Sequence, residues 1–253
     1  MYPYKVSGIS YLNTLPFLYG LENHKIHDKI ELSLDNPSVC AEKLVSNETD
    51  IGLIPVAAIP QMDQSSIISD YCIGAVGPVK SVILYSSVPI NKITTIWLDY
   101  QSRTSVMLIK VLAQKFWKIN VNWKNAKPGY EKSLLSNKEG GVIIGDRAFP
   151  IMKRYPYIYD LAEEWQKYTN LPFVFAAWVA NKSIKKDFLL EFNQALHYGI
   201  MHLEETVNSY SKTSFLSKTD MLNYLQNNIS YKLDQQKQKG LKRFIHELSN
   251  LKS

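Results

Sequence analysis

Two loops of this chain bring together residue types suited to holding a small anion. Ser102-Arg103-Thr104-Ser105 stands directly before Val106, Ile109, Leu112, Ala113 and Phe116, an apolar set at helical spacing. Hydroxyls gathered at the free N–H groups of a helix start, on the positive end of its dipole, favour a carboxylate or phosphate. An N-cap would need Ser102 alone, and the number of hydroxyls is what favours a ligand over a cap. Tyr11-Leu12-Asn13-Thr14 follows an apolar segment at 5–10, where open α/β folds place ligands, beyond the carboxyl ends of strands. Asn13 has the donors and the acceptor either to hold a polar ligand or to form an Asx turn ahead of Pro16. Gly145-Asp146 closes the apolar run Gly141-Val142-Ile143-Ile144, so Asp146 either meets a ligand or caps the next helix. Ser81, in the strand-like stretch Lys80-Ser81-Val82-Ile83-Leu84, reads singly as structural.

Several kinds of chemistry find no support. There is no GxSxG elbow, HExxH pair or Walker loop, and the five histidines (His24, His27, His197, His202, His246) fall outside every loop just named. Cys40 and Cys72 lack CxxC spacing, so buried thiols are expected rather than a metal or redox pair. The balance of 29 basic and 23 acidic residues leaves +6, enough to favour an anionic ligand but without the basic stripe of a nucleic-acid binder. No export signal and no apolar run long enough for a membrane span is read, so a cytoplasmic protein with no membrane partner is expected.

The elements that must position these loops come in two similar cycles. In the first, strands are expected at 5–10, 29–34 and 50–56, with Pro37 opening a helix between the last two. The second has strands at 93–98, 121–123 and 141–146, with helices over 106–116 and 131–136. Two β-rich stretches, 76–86 and 171–180, are read as paired crossover strands between two lobes. Everything from 185 onward is expected to be helical and to pack back on the first lobe. The division that follows is lobe 1 at 1–86 plus 178–253 and lobe 2 at 87–177. Hinges are expected at 86–89 and 176–179.

Taken together, six ordered segments resemble one family. They are Ile9-Ser10-Tyr11-Leu12-Asn13-Thr14-Leu15-Pro16, Asp50-Ile51-Gly52-Leu53-Ile54-Pro55-Val56, Gly77-Pro78-Val79-Lys80-Ser81-Val82, Ser102-Arg103-Thr104-Ser105, Ile144-Gly145-Asp146-Arg147-Ala148 and Thr169-Asn170-Leu171-Pro172-Phe173-Val174-Phe175-Ala176. In that order they resemble the chorismate dehydratases of menaquinone biosynthesis, the MqnA family. The resemblance implies a type 2 periplasmic-binding-protein-like fold, two α/β lobes joined by two crossover strands with a ligand cleft between them. It also implies conversion of chorismate to 3-[(1-carboxyvinyl)oxy]benzoate and water in the futalosine route, without a cofactor or metal. Asn13 and Ser81 match the family's site residues, and the Ser102, Arg103, Thr104 and Ser105 block would hold a carboxylate, with Gly145 and Asp146 nearby. Asn13 and Ser81 are poor bases, so the enolpyruvyl carboxylate of the substrate is expected to remove the ring proton itself. Two alternatives share the fold. One is a non-catalytic small-carboxylate sensor. The other is the 1,4-dihydroxy-6-naphthoate synthase of the same pathway, whose base in the second lobe is a histidine, a residue absent from 90–175. The aromatic content leaves room for a homodimer.

Overall fold

A computed structural model describes residues 3–62, 64–133, 135–210 and 216–251. The chain begins with β1 (Tyr4–Ile9), α1 (Leu15–Asn23), β2 (Ile30–Asp35), α2 (Pro37–Val45), β3 (Ile51–Pro55) and β4 (Ser66–Ala75). It continues through β5 (Val82–Ser86), β6 (Thr95–Leu98), α3 (Thr104–Val111), β7 (Asn122–Asn125), β8 (Glu139–Ile144), α4 (Ala148–Met152), β9 (Tyr157–Asp160) and α5 (Leu161–Thr169). It ends with β10 (Phe173–Ala180), α6 (Lys186–Met201), α7 (Leu203–Tyr210), α8 (Lys218–Asn227), β11 (Ser230–Lys232) and α9 (Gln235–Ser249).

Pairing sorts these strands into two sheets, ordered β11-β4-β10-β3-β1-β2 and β7-β6-β8-β5-β9. The two cycles are alike. In each, the first strand lies between the second and the third and is parallel to both, β2-β1-β3 in one sheet and β7-β6-β8 in the other. Each third strand then takes an antiparallel partner from the far side of a crossing: β3 pairs with β10, and β8 with β5. Strands covered on both faces carry unbroken apolar runs, and every residue of β3, β5 and β10 is buried.

The crossings themselves are 76–81 and the stretch through α5 to 172. The strands expected to carry them belong to one sheet each and do not pair with one another. A division at 86 and 177 gives β5 to the first lobe and most of β10 to the second, whereas sheet pairing assigns them the other way. The expected hinge at 176–179 also falls inside β10, which is hydrogen-bonded to β3 and β4 on its two sides. Asp160 ties the crossings together. Its carboxylate accepts from Lys80 N at 2.6 Å and from Ala162 N and Glu163 N at the start of α5.

The C-terminal segment packs on the first sheet, α6 against α1 and β4, and β11 along β4. It is therefore not wholly helical. Gly20 and Gly199 let α1 and α6 touch backbone to backbone: a Cβ on Gly199 would lie 1.7 Å from Pro16 O. The expected helix at 131–136 is a single 3-10 turn, Tyr130–Lys132, entered through Gly129 at φ +85°; Leu134 lies outside the described residues. Cys40 and Cys72 are free and buried, and burial pushes their thiols up to about 11 and about 12. Among the described residues no helix is long and apolar enough to cross a membrane.

Candidate active site

Parallel strands direct the loops at their carboxyl ends to one side of a sheet, and here the two sheets turn those sides toward each other. A cavity of about 50 Å³ lies between them. Ile9, Tyr11 and Asn13 after β1, Pro55 at the end of β3, Ser102, Thr104 and Ser105 after β6, and Ile144 and Gly145 at the end of β8 form its wall, with Val82, Phe175 and Ala176 from the two returning strands. Five of the eight expected site residues therefore meet: Asn13, Ser102, Thr104, Ser105 and Gly145. Ser81, Arg103 and Asp146 do not line the cavity.

Asn13 owes its freedom to its neighbour. Thr14 builds the turn after β1, its hydroxyl meeting Ile9 O at 2.5 Å and Tyr11 O at 2.7 Å. Asn13 makes no Asx turn, and its Oδ1 is buried without a hydrogen-bond partner among the described residues. Burying an amide oxygen unpaired costs on the order of 1–3 kcal/mol, an expense that a bound donor would remove. Ser81 is buried one position behind the wall. Its carbonyl accepts from Gly145 N at 2.8 Å and its Oγ accepts from Tyr224 OH at 2.7 Å.

At the start of α3 the hydroxyls divide their work. Ser102 Oγ accepts from Ser105 N at 3.0 Å, so it does act as a cap while lining the cavity. Thr104 is committed across the cleft, donating to Phe175 O at 2.9 Å and accepting from Ala57 N at 3.3 Å. Neither Ser102 nor Ser105 donates its hydroxyl proton to another described residue, which leaves both protons for a ligand. Arg103 points away from the cavity to the rim, where it meets Glu42 at 2.9 Å. The expectation that it holds a carboxylate in the cleft is not met by this geometry.

Asp146 likewise reaches over the cleft, accepting from Leu12 N at 3.1 Å, so it caps the turn of the opposite lobe rather than its own helix. Burial raises its carboxyl above the usual value, against the pull of Leu12 N and Arg147. Gly145 is at φ +65°, and a Cβ there would stand 3.1 Å from the Tyr11 ring, so both conformation and space require glycine.

Residue-by-residue reading missed the phenols. Tyr11 lines the cavity and donates to Gln101 Oε1 at 2.6 Å. Gln101 N is held by Asp99, whose buried carboxylate also takes Ile144 N and two bonds from Arg147. Tyr224 on α8 and Tyr231 on β11 approach from the far end of the chain, Tyr231 OH donating to Asn13 O at 3.1 Å. The only local signal for Tyr224 is that it shares the buried face of α8 with Met221 and Leu225, where a phenol needs an acceptor.

A family model described as menaquinone biosynthesis matches residues 4–250. A chorismate dehydratase of Thermus thermophilus is 25% identical over 98% of this chain and 96% of its own length. One of Campylobacter jejuni is 27% identical over 94% of each. Among solved structures, protein AF1704 of Archaeoglobus fulgidus superimposes with a TM-score of 0.79 at 13% identity, covering 98% of this chain and 97% of that one. The CA3427 gene product of Candida albicans, described as having the generic periplasmic-binding-protein fold, gives 0.65 at 16% identity over 100% and 92%. At such identities the last two establish the fold alone, and that fold is the one the resemblance implied.

Proposed function

The chain belongs to the menaquinone biosynthesis family, and we propose that within it this protein removes water from chorismate to give 3-[(1-carboxyvinyl)oxy]benzoate. The curated relatives of that name, matched along nearly their whole length, support the substrate. For the manner of reaction, the observation that carries the reading is the composition of the cavity wall. Among the described residues it contains hydroxyls, the Asn13 amide and apolar groups, but no carboxylate, imidazole or amine. Asp146, next in sequence to Gly145 of the wall, has an oxygen engaged with Leu12 N.

A wall of this kind can orient a substrate but cannot take its proton. The base is the enolpyruvyl carboxylate of chorismate, held over the ring carbon that bears its own ether. The C–H electron pair moves into the ring, the neighbouring C–O bond breaks, and the proton leaves with the departing hydroxide as water. The ring becomes aromatic, which drives the step. Asn13 hydrogen-bonds the departing hydroxyl, while Ser102 and Ser105 donate to the ring carboxylate at the positive end of α3. Holding the base on the substrate makes proton abstraction intramolecular, and positioning then supplies most of the acceleration. A cytoplasmic setting belongs to the same reading, supported by two unpaired cysteines.

Two monomethyl esters of chorismate test the base. Esterified at the ring carboxylate, the compound should bind more weakly but still be dehydrated. Esterified at the enolpyruvyl carboxylate, it should compete with chorismate yet yield no product. Turnover of the second ester at a rate near that of chorismate would require a base on the protein.

A further inference from the structure

The C-terminal segment does more than cover the first sheet. Tyr224 is buried, its ring edge-on to Phe149 of α4 at 5.1 Å, and so stands between α8 and the second lobe. From there its hydroxyl meets Ser81 Oγ at 2.7 Å, a normal length for an O–H···O bond. The Asn13 side chain is within electrostatic reach of the same hydroxyl. One phenol from a distant helix thus touches one of the two residues matched to the family's site and stands beside the other.

We propose that Tyr224 is a positioning residue for the reaction: by donating to Ser81 Oγ it fixes the serine as a hydrogen-bond donor toward the substrate. The inference rests on the dehydratase reading under Proposed function and on the match of Ser81 to the family's site residues. A serine hydroxyl has one proton and two lone pairs. With a lone pair occupied by Tyr224, the rotor is no longer free, and the proton must find another acceptor. None of the described residues supplies one, although Val82 and Gly145, beside Ser81, form part of the cavity wall. The acceptor that completes the chain is the oxygen leaving the ring, which gains negative charge as its bond to carbon breaks.

Hydrogen bonds in series strengthen one another, so the chain Tyr224 to Ser81 to leaving oxygen favours the transition state over the bound substrate. No proton is transferred along it; the proton that makes water is the one removed from the ring. Burial raises the Tyr224 phenol above its ordinary value, so at neutral pH its hydroxyl keeps the proton it donates to Ser81. Tyr231, donating to the main-chain oxygen of Asn13, holds the other residue from the same end of the chain.

The test compares wild type, Tyr224→Phe, Ser81→Ala and the double variant with chorismate as substrate. Phenylalanine keeps the ring against Phe149 and removes only the hydroxyl. Tyr224→Phe is expected to lower kcat about 10- to 100-fold with KM within about threefold. Because Tyr224 acts through Ser81, the double variant should be no slower than Ser81→Ala alone. Phe149→Leu, which disturbs the same ring without touching the hydroxyl, should lower the unfolding midpoint and leave kcat of the folded enzyme within about twofold, separating packing from positioning. A kcat for Tyr224→Phe within twofold of wild type, or losses that multiply in the double variant, would overturn the positioning role while leaving the dehydratase reading intact. A wild-type chain that does not dehydrate chorismate would overturn both.

Discussion

At the scale of single residues, the site is defined by which polar groups are left without local partners. Thr14 satisfies the turn after β1 and so releases Asn13, while Ser105 N engages Ser102 Oγ without using the hydroxyl's own proton. Asp146 serves differently, as a cross-cleft acceptor held in a place that disfavours its charge. That has a consequence for stability. Its folded pKa lies above the unfolded value of about 3.9, so the folded state binds the extra proton. The contribution is fully present below the unfolded pKa and is lost as pH rises through the folded one. Asp146→Asn remains neutral and can still accept from Leu12 N. Its unfolding free energy in urea, relative to wild type, should therefore increase as pH rises from about 3.5 to 7, and a flat or falling difference would contradict the assignment. Much of this scale could be read in the residues themselves: Asn13, Ser102 and Ser105 were singled out and line the cavity. Arg103 could not be placed, because whether a side chain at a helix start faces the cleft or the rim depends on Glu42, sixty-one positions away.

Elements show where local pattern suffices and where it fails. Strands buried on both faces announce themselves as apolar runs, and β3 and β8 lie where their sequences place them. β4 gives little local signal because its first half, Ser66 to Asp70, is mostly exposed, and only Cys72 to Ala75 forms an unbroken buried run. β9 and β11 are short and depend on their partners β5 and β4 for existence. The same holds for the phenols of α8 and β11, which belong to the site only because the chain returns. The contact of α1 with α6 is equally invisible in either helix alone, yet it is the most demanding in the molecule. Gly199→Ala places a methyl group against Pro16 O and Gly20 N, main-chain atoms that cannot swing aside. We expect it to cost about 1–3 kcal/mol or more, measured as a lower urea midpoint at unchanged m. A midpoint equal to wild type would mean that the helices have room to separate.

For the whole molecule, the decisive quantity is the size of the cavity. At about 50 Å³ it falls far below the roughly 300–1,000 Å³ of a pocket that holds a small molecule. The structure is thus a closed form. Tyr11 to Gln101, Leu12 to Asp146, Thr104 to Phe175 and Arg103 to Glu42 bridge the cleft, and the rim contacts among them must part for chorismate to be admitted. A closed, largely apolar wall whose polar groups are hydroxyls and one amide strengthens the hydrogen bonds that orient a dianion, and the +6 balance of the chain assists the encounter. Incubating the wild type and Asn13→Ala with chorismate, and following both by mass spectrometry and ultraviolet absorbance, tests this account most directly. Wild type should convert chorismate to an aromatic product lighter by one water, and Asn13→Ala should do so about 100-fold or more slowly. Binding of chorismate by the wild type without that product, or equal rates for the two proteins, would contradict it.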